Sequence, residues 1–311
     1  MTRADRPRRT CLTVPGSSDR FLARARNLPA DEIILDLEDA VAPAAKQAAR
    51  AKVAQAAAGD WPGRVLAVRV NGAASQWAYQ DVIDVVERAG PRLDAIVLPK
   101  VTGPGHLAWL DLLLGQLEQS AGLPPGAIGI EAQIEDAAGL AAVRAIAAAS
   151  SRLAALIFGP ADFMASVGMR SLSVGIQPAG YAGGDALHYP LMRILVAARS
   201  AGLQAIDGPY AAIGDIDGLR RSAASAAALG YDGKWVLHPD QVGPVNAAFS
   251  PGQEQYDRAE LIVETYARAT GQQLRGAVLL DGEMIDEASM KLALAIAARG
   301  RAAGLSRTTR P

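Results

Sequence analysis

The feature that most constrains this chain is an alternation. Eight short apolar runs, at residues 11–14, 33–35, 65–70, 95–98, 128–134, 153–158, 203–206 and 234–237, are separated by longer, Ala-rich stretches of helical pattern. Such runs, bounded by Gly, Pro, Asn and Asp, predict βαβ units and a parallel sheet. Strands covered on both faces read as continuous Val/Ile/Leu/Ala runs, as these do, and not as a polar/apolar alternation. Eight units suit a closed (β/α)₈ TIM barrel, which takes about 250 residues. The competing architecture is a doubly wound open sheet, whose first turn normally carries G-x-G-x-x-G. Here the first run ends in Pro15-Gly16-Ser17-Ser18. The predicted barrel covers residues 10–245, with a long Gly-containing loop at 168–186. From residue 246 the pattern changes: a helix at 253–270, a short strand at 277–280 and a final helix from Glu287. Residues 246–311 are too few to fold alone and are expected to form a C-terminal helical lid or an oligomerisation arm.

Composition narrows the function. Of the 311 residues 50% are hydrophobic but only 5% aromatic, so small aliphatic side chains must fill the core. Thirty-one Lys and Arg against 32 Asp and Glu leave a net charge of -1, with no basic excess for nucleic acid. The single cysteine, Cys11, excludes an internal disulfide framework and a Cys-based zinc cluster, and fits a reducing compartment. No apolar run approaches the ~20 residues of a membrane span, and no apolar signal core follows the basic N-terminus. The expected location is the cytoplasm.

Catalysis in such barrels sits at the C-terminal ends of the strands. Those ends carry Asp36, Glu38, Asp39, Arg69, Lys100, Glu135, Asp162, Asp207 and His238. Glu135 and Asp162 lie one βα unit apart with no Cys or His near them in sequence. Two such carboxylates suit a hard cation, Mg²⁺ or Mn²⁺, completed by water and substrate oxygens; the alternative is that both cap helices. A strand-end arginine, Arg69, can hold a carboxylate or stabilise an oxyanion. Its alternative is an ion pair with Asp36, Glu38 or Asp39. The Pro15-Gly16-Ser17-Ser18 turn before a helix offers backbone N–H groups to a phosphate. No G-x-S-x-G and no Walker pattern occurs.

A set of segments, in order, carries a resemblance. They are Val14-Pro15-Gly16, Leu35-Asp36-Leu37-Glu38-Asp39-Ala40-Val41-Ala42-Pro43, Val68-Arg69-Val70-Asn71-Gly72, Leu98-Pro99-Lys100-Val101, Phe158-Gly159-Pro160-Ala161-Asp162, Gly233-Lys234-Trp235 and His238-Pro239-Asp240-Gln241. Over about residues 10–300 the chain resembles the HpcH/HpaI aldolase and citrate lyase β-subunit superfamily. Within it the chain is most similar to malyl-CoA and β-methylmalyl-CoA lyases, through Ile206-Asp207-Gly208-Pro209, the loop ending in His188-Tyr189, and Gly282-Glu283-Met284-Ile285-Asp286.

The resemblance implies a barrel with a C-terminal lid, in a homotrimer or homohexamer where one subunit's lid covers the next subunit's site. It implies Mg²⁺, with Mn²⁺ as a substitute, and carbon–carbon cleavage of an acyl-CoA thioester to a shorter acyl-CoA and a 2-oxo acid, glyoxylate or pyruvate. Glu135 and Asp162 match the metal ligands, and Arg69 the arginine that stabilises the enolate. Asp286 matches the lid aspartate, the acid/base candidate, while Glu38 and Asp39 match acidic residues that organise water and Arg69. Lys100, Pro15, Gly16, Arg20, Gly159, Pro160 and Asp207 join Arg69 as expected substrate and CoA contacts. The first loop departs from the pattern: Ser18-Asp19-Arg20 follows Ser17 where such lyases carry Arg-Pro after Gly-Ser. Other readings are a malyl-CoA thioesterase or malate synthase-type outcome, a citrate lyase β-like subunit working on carrier-bound thioesters, and a pyruvate-dependent aldolase.

Overall fold

The computed structural model describes residues 6–273 and 276–308. The chain divides into two compact units, Met1–Asn246 and Ala247–Pro311.

The first unit is a closed, all-parallel barrel of eight strands in sequential order. They are β1 (Thr10–Pro15), β2 (Glu32–Asp36), β3 (Val65–Arg69), β4 (Ala95–Leu98), β5 (Gly129–Ile134), β6 (Leu153–Phe158), β7 (Gln204–Asp207) and β8 (Gly233–Val236). Around them run α1 (Asp19–Ala25), α2 (Lys46–Ala57), α3 (Ala78–Ala89), α4 (Pro104–Ser120), α5 (Ala137–Ala147), α6 (Pro160–Ser166), α7 (His188–Ser200), α8 (Ile216–Leu229) and α9 (Pro239–Ala248). Each apolar run became a strand. The local signals are conventional: Ser18, Asp136 and Asp215 accept hydrogen bonds from the first-turn amides of α1, α5 and α8. Gly230 closes α8 at φ 111°, a left-handed conformation open to glycine. Two helices were not expected. One is α6, a single short segment directly after β6; the other is α9, which carries Pro244 inside it. Residues 168–186 form no regular element, as expected.

Side chains alternate along each strand, so register decides what fills the barrel. The interior holds Cys11, Ile34, Ala67, Ala95, Val97, Ala155, Ile157, Ile206 and Trp235. The small Ala side chains leave room for larger charged ones. At the N-terminal end of the barrel, Arg8 Nε lies 3.0 Å from Glu131 and 3.3 Å from Glu32, with all three side chains essentially without solvent contact. Arg8 Nη1 also donates to Gln204 on β7 at 2.5 Å. The N-terminal segment seals this end, and its Arg8 carbonyl lies so close to Gly233 that an added Cβ would sit 1.7 Å from it. Only glycine fits there.

In the second unit, α10 (Gln253–Gln273) and α11 (Glu287–Ala302) pack through Tyr256, Ala259, Ala293 and Ala297. Between them β9 (Val278–Leu280) and β10 (Glu283–Ile285) pair antiparallel. Their two-residue turn, Asp281-Gly282, has φ of 54° and 86°, as a tight hairpin with positive φ at both positions requires. Among the described residues no helix is long and apolar enough to cross a membrane.

Candidate active site

The C-terminal end of the barrel gathers charge. Asp36 and Arg69 are register partners on β2 and β3, so both point inward. Their side chains meet in a two-pronged pair: Arg69 Nε and Nη2 each donate to one Asp36 oxygen at 2.7 Å. Asp36 also accepts from the Glu38 and Ala40 amides at 2.9 and 3.1 Å, which folds the chain after β2 back across the barrel mouth. Burial raises the Asp36 carboxyl, but Arg69 and these amides outweigh it and hold it below the usual range. Arg69 Nη1 lies 3.1 Å from Glu38 and 3.8 Å from Asp39, and the guanidinium sits 5.2 Å over the Trp235 ring. The ion pair and the site position are therefore the same arrangement: Asp36 holds the fork and leaves Nη1 toward the acidic cluster.

Two residues with no expected role fix the loop that carries Glu38. Lys46 Nζ donates to the Leu37 and Glu38 carbonyls at 3.0 and 2.9 Å and to Asn71 Oδ1 at 2.6 Å. Asn71 in turn donates to the Leu37 carbonyl at 3.1 Å and to Asp81 at 2.6 Å.

Glu135 ends β5 and is buried, 3% exposed. Its Oε1 accepts from the Lys100 backbone amide and its Oε2 from Gln133 Nε2, both at 2.6 Å. Gln133 is two positions earlier on the same strand face, so alternation alone would have found it. Burial, then repulsion from Glu38, pushes the Glu135 carboxyl up to about 8. Asp162 lies in the first turn of α6 but does not cap it, since the cap position is Gly159. Nor does Glu135 cap α5; Asp136 does. The capping alternative is thus removed for both. Lys100 stretches over the cluster, its Nζ against Glu38, 3.5 Å from Asp39 and 3.3 Å from Asp162.

Gly159 shows why the strand end must lack a side chain. A Cβ there would stand 2.4 Å from Glu135 Cβ and 2.5 Å from Glu135 Oε2. Gln133 Oε1 is buried with no hydrogen-bond partner. Crowded carboxylates, a raised Glu135 and an unpartnered buried carbonyl oxygen together fit a hard divalent cation. Among the described residues no three acidic, His or Cys side chains converge as a metal cage, so Glu135 and Asp162 would be the protein's share of the ligands.

Several expected contacts lie elsewhere. Asp207 is outward-facing: its carboxylate pairs with the buried Lys234 ammonium and accepts from the Gly208 amide at 2.7 Å. With Pro160 it lines a separate cavity of about 440 Å³ between the strand ends and α7 and α8. Asp207 is thus half of a buried ion pair beside that cavity, away from the acidic cluster. Gly16 lies against β2. Its amide donates to the Asp36 carbonyl at 2.8 Å, and its missing Cβ leaves room for Val53 and that carbonyl. Pro15 lines a small apolar pocket with Phe21 and Leu237. Arg20 is exposed and stacks on Phe21, 5.0 Å from its ring centre, rather than joining the cluster. Asp286 belongs to the second unit, where it caps α11 by accepting from the Ser289 amide at 2.9 Å and the Ser289 hydroxyl at 3.0 Å.

The family profile described as HpcH/HpaI aldolase/citrate lyase matches residues 9–239, all of the barrel strands and the whole cluster. The chain belongs to that family. It is 38% identical over 299 residues, 93% of each protein, to the L-malyl-CoA/β-methylmalyl-CoA lyase of Cereibacter sphaeroides. It is 32% identical to the citrate lyase subunit β of Escherichia coli, over 97% of this chain and 96% of that one. Among solved structures, CitE from Mycobacterium tuberculosis in complex with magnesium, acetoacetate and coenzyme A superposes with a TM-score of 0.74 at 28% identity. That match covers 96% of this chain and 99% of the other. As a member of this family the chain shares its barrel, and its named relatives are lyases.

Proposed function

We propose that this protein is a divalent-metal-dependent carbon–carbon lyase acting on CoA thioesters. The substrate is a 3-hydroxyacyl-CoA of the malyl-CoA, β-methylmalyl-CoA or citramalyl-CoA class, split by retro-Claisen chemistry into a shorter acyl-CoA and glyoxylate or pyruvate. The observation that carries this is the convergence of Glu135, Asp162 and Arg69 at one barrel mouth, in a chain so similar to a malyl-CoA/β-methylmalyl-CoA lyase. Glu135 and Asp162 would hold Mg²⁺, with Mn²⁺ as a substitute; when bound, the cation supplies Lewis-acid charge and a template for the oxygens of the 2-oxo acid.

The chain's own residues supply the rest. Asp36 orients Arg69 so that Nη1 offers positive charge where the enolate oxygen develops. Lys46 and Asn71 keep Glu38 in place beside it. Glu38 and Asp39 lie close enough to Arg69 to tune its position. Asp286, brought by the lid of a neighbouring subunit in a homotrimer or homohexamer, would move the proton at the hydroxyl or α-carbon. A closed lid would exclude water, which protects an enolate from stray protonation.

The test is a Mg²⁺ assay with malyl-CoA, β-methylmalyl-CoA and citramalyl-CoA, following glyoxylate, pyruvate and free CoA. Formation of a 2-oxo acid without equivalent free CoA is expected. Stoichiometric free CoA would replace the lyase with a thioesterase or synthase outcome. Glu135→Gln and Asp162→Asn should each abolish turnover with the circular-dichroism spectrum unchanged. The likeness to a citrate lyase subunit β favours a second reading, a subunit that takes carrier-bound thioesters. Turnover of free CoA esters by the purified chain alone would exclude it.

A further inference from the structure

Lys100 is the one charged residue at the barrel mouth held in left-handed backbone, at φ 54°. A side chain in that region is strained, and glycine adopts it freely. The chain keeps a lysine there. The backbone conformation aims the Lys100 amide at Glu135 Oε1, at 2.6 Å. The side chain then doubles back over the same cluster, where its ammonium touches Glu38 and lies 3.5 Å from Asp39 and 3.3 Å from Asp162. Among the described residues it is the only cation paired with Asp162. Arg69 at the mouth is occupied by Asp36 and reaches Glu38 and Asp39, and Lys46 is held by the Leu37 and Glu38 carbonyls. Three carboxylates thus pair with the Lys100 ammonium and a fourth, Glu135, with its backbone amide, at a place where, on the reading above, a divalent cation also belongs.

We propose that the Lys100 ammonium is a built-in counter-cation, which holds the carboxylates together in the metal-free protein and competes with an incoming divalent cation for Asp162. The inference rests on the metal assignment under Proposed function. Without Lys100, mutual repulsion of Glu38, Asp39, Glu135 and Asp162 would be opposed by Arg69 and by Lys46 behind the Glu38 loop, neither of which is paired with Asp162. With it, the site is assembled before metal arrives, and the affinity for metal is lowered because one ligand must first exchange partners. Lys100 is therefore a positioning residue that sets metal affinity. When metal binds, the ammonium moves off Asp162 and stays near Glu38 and Asp39.

The experiment uses Mn²⁺ binding followed by electron paramagnetic resonance, with thermal melts of the metal-free and Mn²⁺-saturated protein. Lys100→Met keeps length and backbone strain but removes the charge, and Lys100→Arg keeps the charge. Lys100→Met is expected to bind Mn²⁺ at least ~10-fold more tightly, well under the unscreened repulsion of two cations about 4 Å apart because the side chain is half exposed. Its metal-free form should melt lower, its gain on adding Mn²⁺ should be larger, and Lys100→Arg should track the parent. Unchanged or weaker Mn²⁺ binding by Lys100→Met overturns the proposal whatever happens to turnover. If Lys100→Met fails to fold, Lys100→Gly, which relaxes the backbone, gives the same comparison. If the parent itself takes up no Mn²⁺, the metal assignment falls and this proposal with it; if parent and variants bind alike, only the counter-cation role falls.

Discussion

Gly159→Ala tests the site through one methyl group. Gly159 has φ of −104°, which alanine accepts, so the substitution brings no backbone strain. The methyl carbon, however, would lie 2.4 Å from Glu135 Cβ, 2.5 Å from Glu135 Oε2 and 3.0 Å from Gln133 Nε2, where ordinary contact begins at 3.4 Å. The shortfall of about 1 Å against Glu135 Cβ cannot be met by turning the side chain, because a Cβ moves only with its backbone, so the strand end at Glu135 must shift; a misplacement near 1 Å can cost about 10²-fold in rate. Displacing Glu135 also breaks its 2.6 Å bonds to the Lys100 amide and to Gln133. We expect Gly159→Ala to fold, to lose about 10²-fold in kcat and to bind Mn²⁺ more weakly. The assay pairs steady-state cleavage of malyl-CoA with Mn²⁺ titration and circular dichroism. A variant with parental kcat and parental Mn²⁺ affinity would show that the Glu135 carboxylate does not need its present position, and the metal reading of this cluster would fail.

Other predictions follow from the same contacts. Arg69→Lys keeps the charge but not the fork, so turnover should drop at least ~10²-fold, comparable to loss of one oxyanion donor; unchanged turnover would leave Arg69 as a structural partner of Asp36 only. At the sealed end of the barrel, burial and then the neighbouring Glu131 hold the Glu32 carboxyl well above its usual range. A raised acid binds its proton more tightly folded than unfolded, so its contribution is fully present below about pH 4.5 and is lost as pH rises. Glu32→Gln should therefore gain stability relative to the parent as pH is raised from 5 to 8, read from urea midpoints, and a constant difference would refute the coupling. Asp286→Ala should keep its fold and metal binding, with slightly lower stability from the lost cap and most turnover gone. Mixing it with Glu135→Gln subunits should restore activity, and verified subunit exchange without recovery rules out a lid supplied in trans.

Much of this architecture is legible in the sequence because the barrel repeats one unit. Each apolar run sits between punctuating residues, and all eight became strands in sequential order. The short helix α6 escaped notice because Pro160 follows Gly159 directly and the helical pattern lasts only two turns. The helix α9 escaped it because Gly243 and Pro244 interrupt the pattern that its packed residues Gln241, Val242 and Val245 maintain. The cluster was legible for a geometric reason. In a closed parallel barrel every strand ends at the same mouth, so charged residues following the runs are brought to one end, where those facing inward meet. Glu38, Asp39, Arg69, Lys100, Glu135 and Asp162 do meet.

What the sequence by itself determined is the order of the elements and the end of the barrel at which the chemistry gathers. Which side of the wall a residue faces was decided by the tertiary structure. Asp207 ends its strand as Asp36 does, yet Asp36 faces inward to Arg69 and Asp207 faces outward to Lys234. The runs cannot show this difference, because strands such as β2, β3 and β4 are buried on both faces and carry apolar residues in either phase. Only the register between neighbouring strands sets that phase. It also decides that Glu32 and Glu131 close one end with Arg8 while Glu135, on the same row as Glu131, opens onto the other.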